Sequence, residues 1–105
     1  KADVNAKEKF GGTPLHRASE KGQVDGIKFL VEQKADVNAK SGWGTTPLHK
    51  ASYNGQVDAI ECLVELKAGV NAKNDWGWTP LDFASSNGQV DAIECLIELK
   101  ADVNE

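Results

Sequence analysis

Thr46-Pro47-Leu48-His49-Lys50-Ala51 decides the fold, because the same pattern stands one period earlier as Thr13-Pro14-Leu15-His16-Arg17-Ala18 and one period later as Thr79-Pro80-Leu81-Asp82-Phe83-Ala84. Working outward, Gly22-Gln23-Val24-Asp25 returns in step at Gly55 and Gly88, and an Ala-Asp-Val-Asn segment begins at Ala2, Ala35 and Ala101, with Ala68-Gly69-Val70-Asn71 as its variant. The step is 33 residues throughout, with no insertion. Such regular self-similarity describes a solenoid whose units bury their apolar faces only against neighbours. Function is then to be sought on a repeated surface rather than in a single pocket.

Each unit carries its own start and stop signals. Thr13, Thr46 and Thr79 are helix caps, and the prolines that follow occupy the first helical position, where no amide hydrogen is needed. Leu15, Ala18 and Ser19 share a narrow face of small residues that lets neighbouring first helices approach. Gly22, Gly55 and Gly88 end these helices in left-handed geometry. A second helix starts near Val24, Val57 and Val90; Val57, Ile60, Leu63 and Val64 follow its period, with Asp58, Glu61 and Glu65 on the solvated side.

The Thr-Pro-Leu-His-x-Ala motif, the Gly-x-Val-Asp turn, a second apolar run and the Ala-Asp-Val-Asn loop resemble the ankyrin repeat across essentially the whole chain. The resemblance implies an all-α solenoid of helix-turn-helix units with projecting β-hairpin fingers, here formed by 4–11, 37–44 and 70–77. The expected organisation is a single array over 1–105: a partial finger at 1–12, repeats at 13–45 and 46–78, and a last repeat at 79–105 whose end is uncapped. Family members usually have glycine before Ala-Asp-Val-Asn, where φ is positive; Lys34, Lys67 and Lys100 stand there instead. The turn is therefore either strained or differently shaped.

Composition narrows the function classes. The 105 residues carry a net charge of −4, so the overall field does not draw phosphate backbones, and nucleic acid is a poor partner. No apolar run reaches the ~20 residues that span a bilayer, so no membrane partner is expected. Cys62 and Cys95 lie one period apart, farther than a disulfide reaches when helices pack at ~8–10 Å, and read as small buried apolar residues of a reducing, intracellular compartment. No nucleophile triad, zinc motif or phosphate loop is present, and Asp58 with Glu61 or Asp91 with Glu94 lack the desolvation that separates acid from base. Neither an enzyme nor a cofactor is expected.

The residues that leave the pattern point to binding. Phe10, Trp43 and Trp76 share the finger-tip position and Trp78 follows, so stacking would align large aromatics along one edge, the kind of anchor that dominates binding hot spots. The alternative is that each ring lies on the next finger and only holds the stack. Lys7, Lys9, Lys40 and Lys73 make that edge basic, which suits an apolar and acidic partner surface. The resemblance implies a concave groove between fingers and first helices; matched onto this chain, its candidate positions are Lys9, Phe10, Arg17 and Glu20, then Trp43, Thr45, Lys50 and Tyr53, then Trp76, Trp78, Phe83 and Ser86. It also implies that His16 and His49 bond backbone between repeats, that Asp82 rewires this in the third unit, and that Asn38 and Asn104 fit an asparaginyl-hydroxylase acceptor pattern.

The expected role is a protein- or peptide-binding module. The competing one is a structural segment of a longer array, since Ile93, Leu96 and Ile97 keep the internal apolar pattern at the last unit, leaving an end open to head-to-tail self-association. Stretches 46–71 and 79–104 differ at five of 26 positions, which fits recent duplication or deliberate consensus engineering.

Overall fold

A computed structural model describes residues 3–9, 12–101 and 103. Six helices follow in order: α1 Pro14–Glu20, α2 Val24–Glu32, α3 Pro47–Tyr53, α4 Val57–Glu65, α5 Pro80–Ser86 and α6 Val90–Glu98. Phe10, Gly11 and Asn104 lie outside the described residues.

The three short first helices begin alike because the sequence closes a capping box on each. The Thr13, Thr46 and Thr79 hydroxyl oxygens accept from the amides of His16, His49 and Asp82, whose side chains accept in return from the threonine amides. Two turns of helix are still too few to persist alone. Lateral packing holds them: α1, α3 and α5 form one layer and α2, α4 and α6 the other, drawn out to 42 × 26 × 19 Å. Leu15, Leu48, Ile27, Ile60, Leu63 and Leu96 are fully buried between the layers, each worth roughly 1.5–3 kcal/mol of burial.

Side chains reaching across to backbone fix the register of successive units. His16 Nδ1 faces the Thr13 amide at 3.1 Å and so accepts; Nε2 therefore carries the hydrogen and donates to the Thr45 carbonyl at 2.8 Å. His49 repeats this toward the Trp78 carbonyl, also at 2.8 Å. Asn5 donates to the Lys34 carbonyl and accepts from the Asp36 amide, and Asn38 does the same with Lys67 and Gly69. Asp82 closes its own capping box, and as an acceptor-only carboxylate it cannot donate to a carbonyl as the two histidines do.

Lys34, Lys67 and Lys100 adopt φ of 76°, 78° and 78°, which answers the question the sequence raised: the turn keeps its shape and the lysine is strained. The reason is the bonding after each second helix, where for example Ala35 N donates to Leu30 O and Lys34 N to Val31 O. That double closure demands a left-handed residue, at about 1–2 kcal/mol for any side chain but glycine.

The fingers are barer than hairpins with ladders. Among the described residues no strand forms; Glu8 N donates to Gly12 O in the first finger, Ser41 N to Thr45 O and Gly44 N to Ser41 O in the second, and Asn74 N to Trp78 O and Gly77 N to Asn74 O in the third.

Candidate functional site

The finger tips are built by local polar bonding that turns aromatic rings outward. In the third finger, Asn74 Oδ1 accepts from the Trp76 and Trp78 amides at 3.0 and 2.9 Å, fixing a turn completed by Gly77 at φ 79°. In the second, Gly42–Gly44 forms a single 3₁₀ turn with Trp43 at φ 63° and ψ 21°. Tryptophan in left-handed backbone is an outlier held by its surroundings. Here the Trp43 carbonyl accepts the Asp75 amide at 2.9 Å, and Gly44 packs so tightly on Asp75 that an added Cβ would lie 2.7 Å from its Oδ1.

Trp43 and Trp76 meet at 5.7 Å between ring centroids, tilted by 46°. They nevertheless remain 66% and 64% exposed. Trp78 leaves this pair and turns into the concave side, edge-on to Phe83 at 5.7 Å, because it lies beyond the turn. Phe83 also sits 4.8 Å from the His49 ring and 6.2 Å from Tyr53. The aromatic edge foreseen in the sequence is thus two features, an exposed tip pair and a groove cluster.

Between fingers and helices of the first two units lies an open groove of about 890 Å³. Lys7, Lys9, Lys40, Arg17 and Lys50 line it, against Glu8 and Glu20. Arg17 Nη2 clasps both carboxylate oxygens of Glu8, and Lys50 reaches Glu20 only at 4.0 Å. Glu8 was not singled out from sequence; the clasp depends on how the finger folds over α1. Burial chiefly lowers the pKa of His16, and repulsion from Lys50 and Lys7 lowers it further, so the imidazole is neutral at pH 7. The opposite surface is acidic: Asp25, Asp58, Glu61, Glu65, Asp91 and Glu94 are exposed on the second helices.

Of the candidate positions, Lys9, Arg17, Glu20, Trp43 and Lys50 line the groove of the first two units, and Tyr53, Trp78 and Phe83 form the cluster beside it. Trp76 is at the tip, and Ser86 is exposed with its hydroxyl bonded to the Phe83 carbonyl. Thr45 also lines that groove, though it is only 8% exposed and its carbonyl accepts from His16 and Ser41. Its part in this structure is to tie units together. Asn74 was missed, though an Asx turn ahead of Trp-Gly-Trp is a readable signal.

Among the described residues no cluster of histidine, cysteine and carboxylates could hold a metal ion, and no helix is long and apolar enough to cross a membrane. Cys62 and Cys95 are buried free thiols, their pKa raised mainly by desolvation.

Comparison with protein families gives a match to the ankyrin repeats model (three copies) over residues 33–105 and to the single ankyrin repeat model over residues 10–42. With the capped helix pairs and two-layer stacking described above, the chain belongs to the ankyrin repeat family. Ankyrin repeats are generally protein-protein interaction modules and generally non-enzymatic. No curated protein matches the chain.

Proposed function

We propose that this chain is a non-enzymatic binding module, one array over 1–105, that holds a protein or peptide through its finger tips and concave groove. The observation that carries it is Trp43. Its ring is two-thirds exposed on left-handed backbone, so both its solvation and its conformation are unfavourable, and contact with Trp76 covers only part of either ring. Exposed aromatic anchors beside a charged rim are what binding interfaces select. Nucleic acid and membranes fit less well, given a net charge of −4 and the acidic second-helix face.

The test is selection of binders from a displayed protein and peptide library, counter-selected on the Trp43→Ala/Trp76→Ala double variant with helicity checked by circular dichroism. Binders that lose well over ~1 kcal/mol on the double variant support the role. Selected binders that ignore both tryptophans and are equally indifferent to Lys50→Glu and Phe83→Ala in the groove overturn it.

A second reading, self-assembly, has one observation in its favour: Val90 is 62% exposed on the last unit, where the equivalent Val57 is half-buried under the next. Against it stands Phe29. It occupies the position of Cys62 and Cys95, which are buried where units meet, so a second copy docking in the internal register would force a phenyl ring into cysteine-sized space. Light scattering that shows a monomer across concentration agrees with this; concentration-dependent growth would restore the assembly reading.

A further inference from the structure

We propose that the groove and the aromatic cluster form one bipartite site for an extended acidic segment, carrying two carboxylates over the first two units and a large apolar side chain over the third. This rests on the binding role proposed above. Arg17, Lys50 and Phe83 stand one period apart on α1, α3 and α5, so stacking sets them in a row that passes from cationic to aromatic. Charge complementarity decides the first part of the occupant. Glu8 already holds Arg17, so a carboxylate over the first unit meets Lys7 and Lys40, neither of which forms an ion pair among the described residues. The next carboxylate meets Lys50, whose only ion-pair partner among the described residues is Glu20 at 4.0 Å. The third position offers Phe83 flanked by Trp78 and Tyr53, an apolar seat.

The spacing selects the backbone. Side-by-side helices lie about 8–10 Å apart. In polyproline II every third side chain points the same way with a rise of about 3.1 Å per residue, so like-facing side chains recur at about 9 Å and stay in step with the units. An α-helix repeats at about 5.4 Å and drifts out of step. The segment therefore carries acidic residues three apart and a large apolar residue three further on. Such a segment is already extended when free, so little ordering entropy opposes docking.

The probe is a synthetic nonapeptide with glutamate at its first and fourth positions, leucine at its seventh and proline elsewhere, titrated into the 105-residue chain with tryptophan fluorescence and calorimetry. Binding should weaken at least about tenfold when lysine replaces both glutamates, and weaken with added salt. Shifting the leucine by one position, Lys50→Glu, and Phe83→Ala should each weaken it severalfold, with far-UV circular dichroism confirming that the variants fold. No binding of the glutamate peptide, equal binding of the lysine or shifted peptides, indifference to Lys50→Glu, or preference for an oligothymidylate control would each overturn the proposal. Tryptophan-dependent binders of other chemistry in the library selection would then still uphold the broader role, so the two failures are distinguishable.

Discussion

Replacing Trp43 by glycine should separate stability from binding. The backbone at φ 63° costs about 1–2 kcal/mol for a residue bearing Cβ, and glycine removes that strain. Against the gain stand about 0.4–1 kcal/mol of extra unfolded-state entropy and about 0.5 kcal/mol for the lost ring contact with Trp76, at the low end because both rings are exposed. Trp43→Gly is therefore expected to lie between about 0.5 kcal/mol less stable and about 1 kcal/mol more stable than the parent. Trp43→Ala keeps the strain and loses the ring, so it should be less stable than Trp43→Gly by about 0.5–1 kcal/mol. Both retain the backbone bond from Asp75, and both remove the proposed anchor equally. The assay is urea unfolding followed by far-UV circular dichroism, where that difference moves the midpoint by a few tenths of a molar unit. Alanine as stable as glycine would refute the strain argument; unimpaired binding by both would refute the role of the ring.

Other perturbations test the scaffold. Lys67→Gly should be more stable than Lys67→Ala by about 0.5–1 kcal/mol in thermal melts, since only glycine relieves φ of 78°; equal melting temperatures would count against a strained turn. His16 and His49 have pKa values lowered chiefly by burial, so the unfolded chain binds protons first: their contribution is complete above about pH 6.5 and declines as pH falls below it, which urea midpoints measured from pH 7.5 to 5 would reveal. His49→Ala should remove that dependence in part and cost about 1–3 kcal/mol by leaving the buried Thr46 amide without its acceptor. Ser52→Ala should cost about 0.5–1.5 kcal/mol because its hydroxyl donates to the Leu48 carbonyl, whereas Ser19→Ala should be neutral or stabilising because the Ser19 hydroxyl is buried without a partner among the described residues; matched losses would contradict the difference.

How much was legible beforehand differs between scaffold and surface. The caps at Thr13, Thr46 and Thr79 and the turn glycines follow from local chemistry, the buried cysteines from the period, and the histidine ties from the resemblance to ankyrin repeats; each appears where expected. At Lys34, Lys67 and Lys100 local propensity and the helix-ending bond pattern disagreed, and the bonds prevailed. The surface was harder to foresee. Thr45 lines the groove beside Trp43 with little of its surface exposed, and Trp78, two residues from Trp76, faces a different side.

The amino-acid order alone fixed what is periodic: where helices begin and end, which faces are apolar, and that equivalent positions run in lines. Short-range hydrogen bonding and helical periodicity act within a few residues, so each copy restates them. Tertiary structure alone decided the pairing of Trp43 with Trp76, the Phe83 cluster and the clasp of Glu8 on Arg17. Those depend on distances between residues of different elements, which only the packing of one unit on the next, and of the first finger over α1, creates.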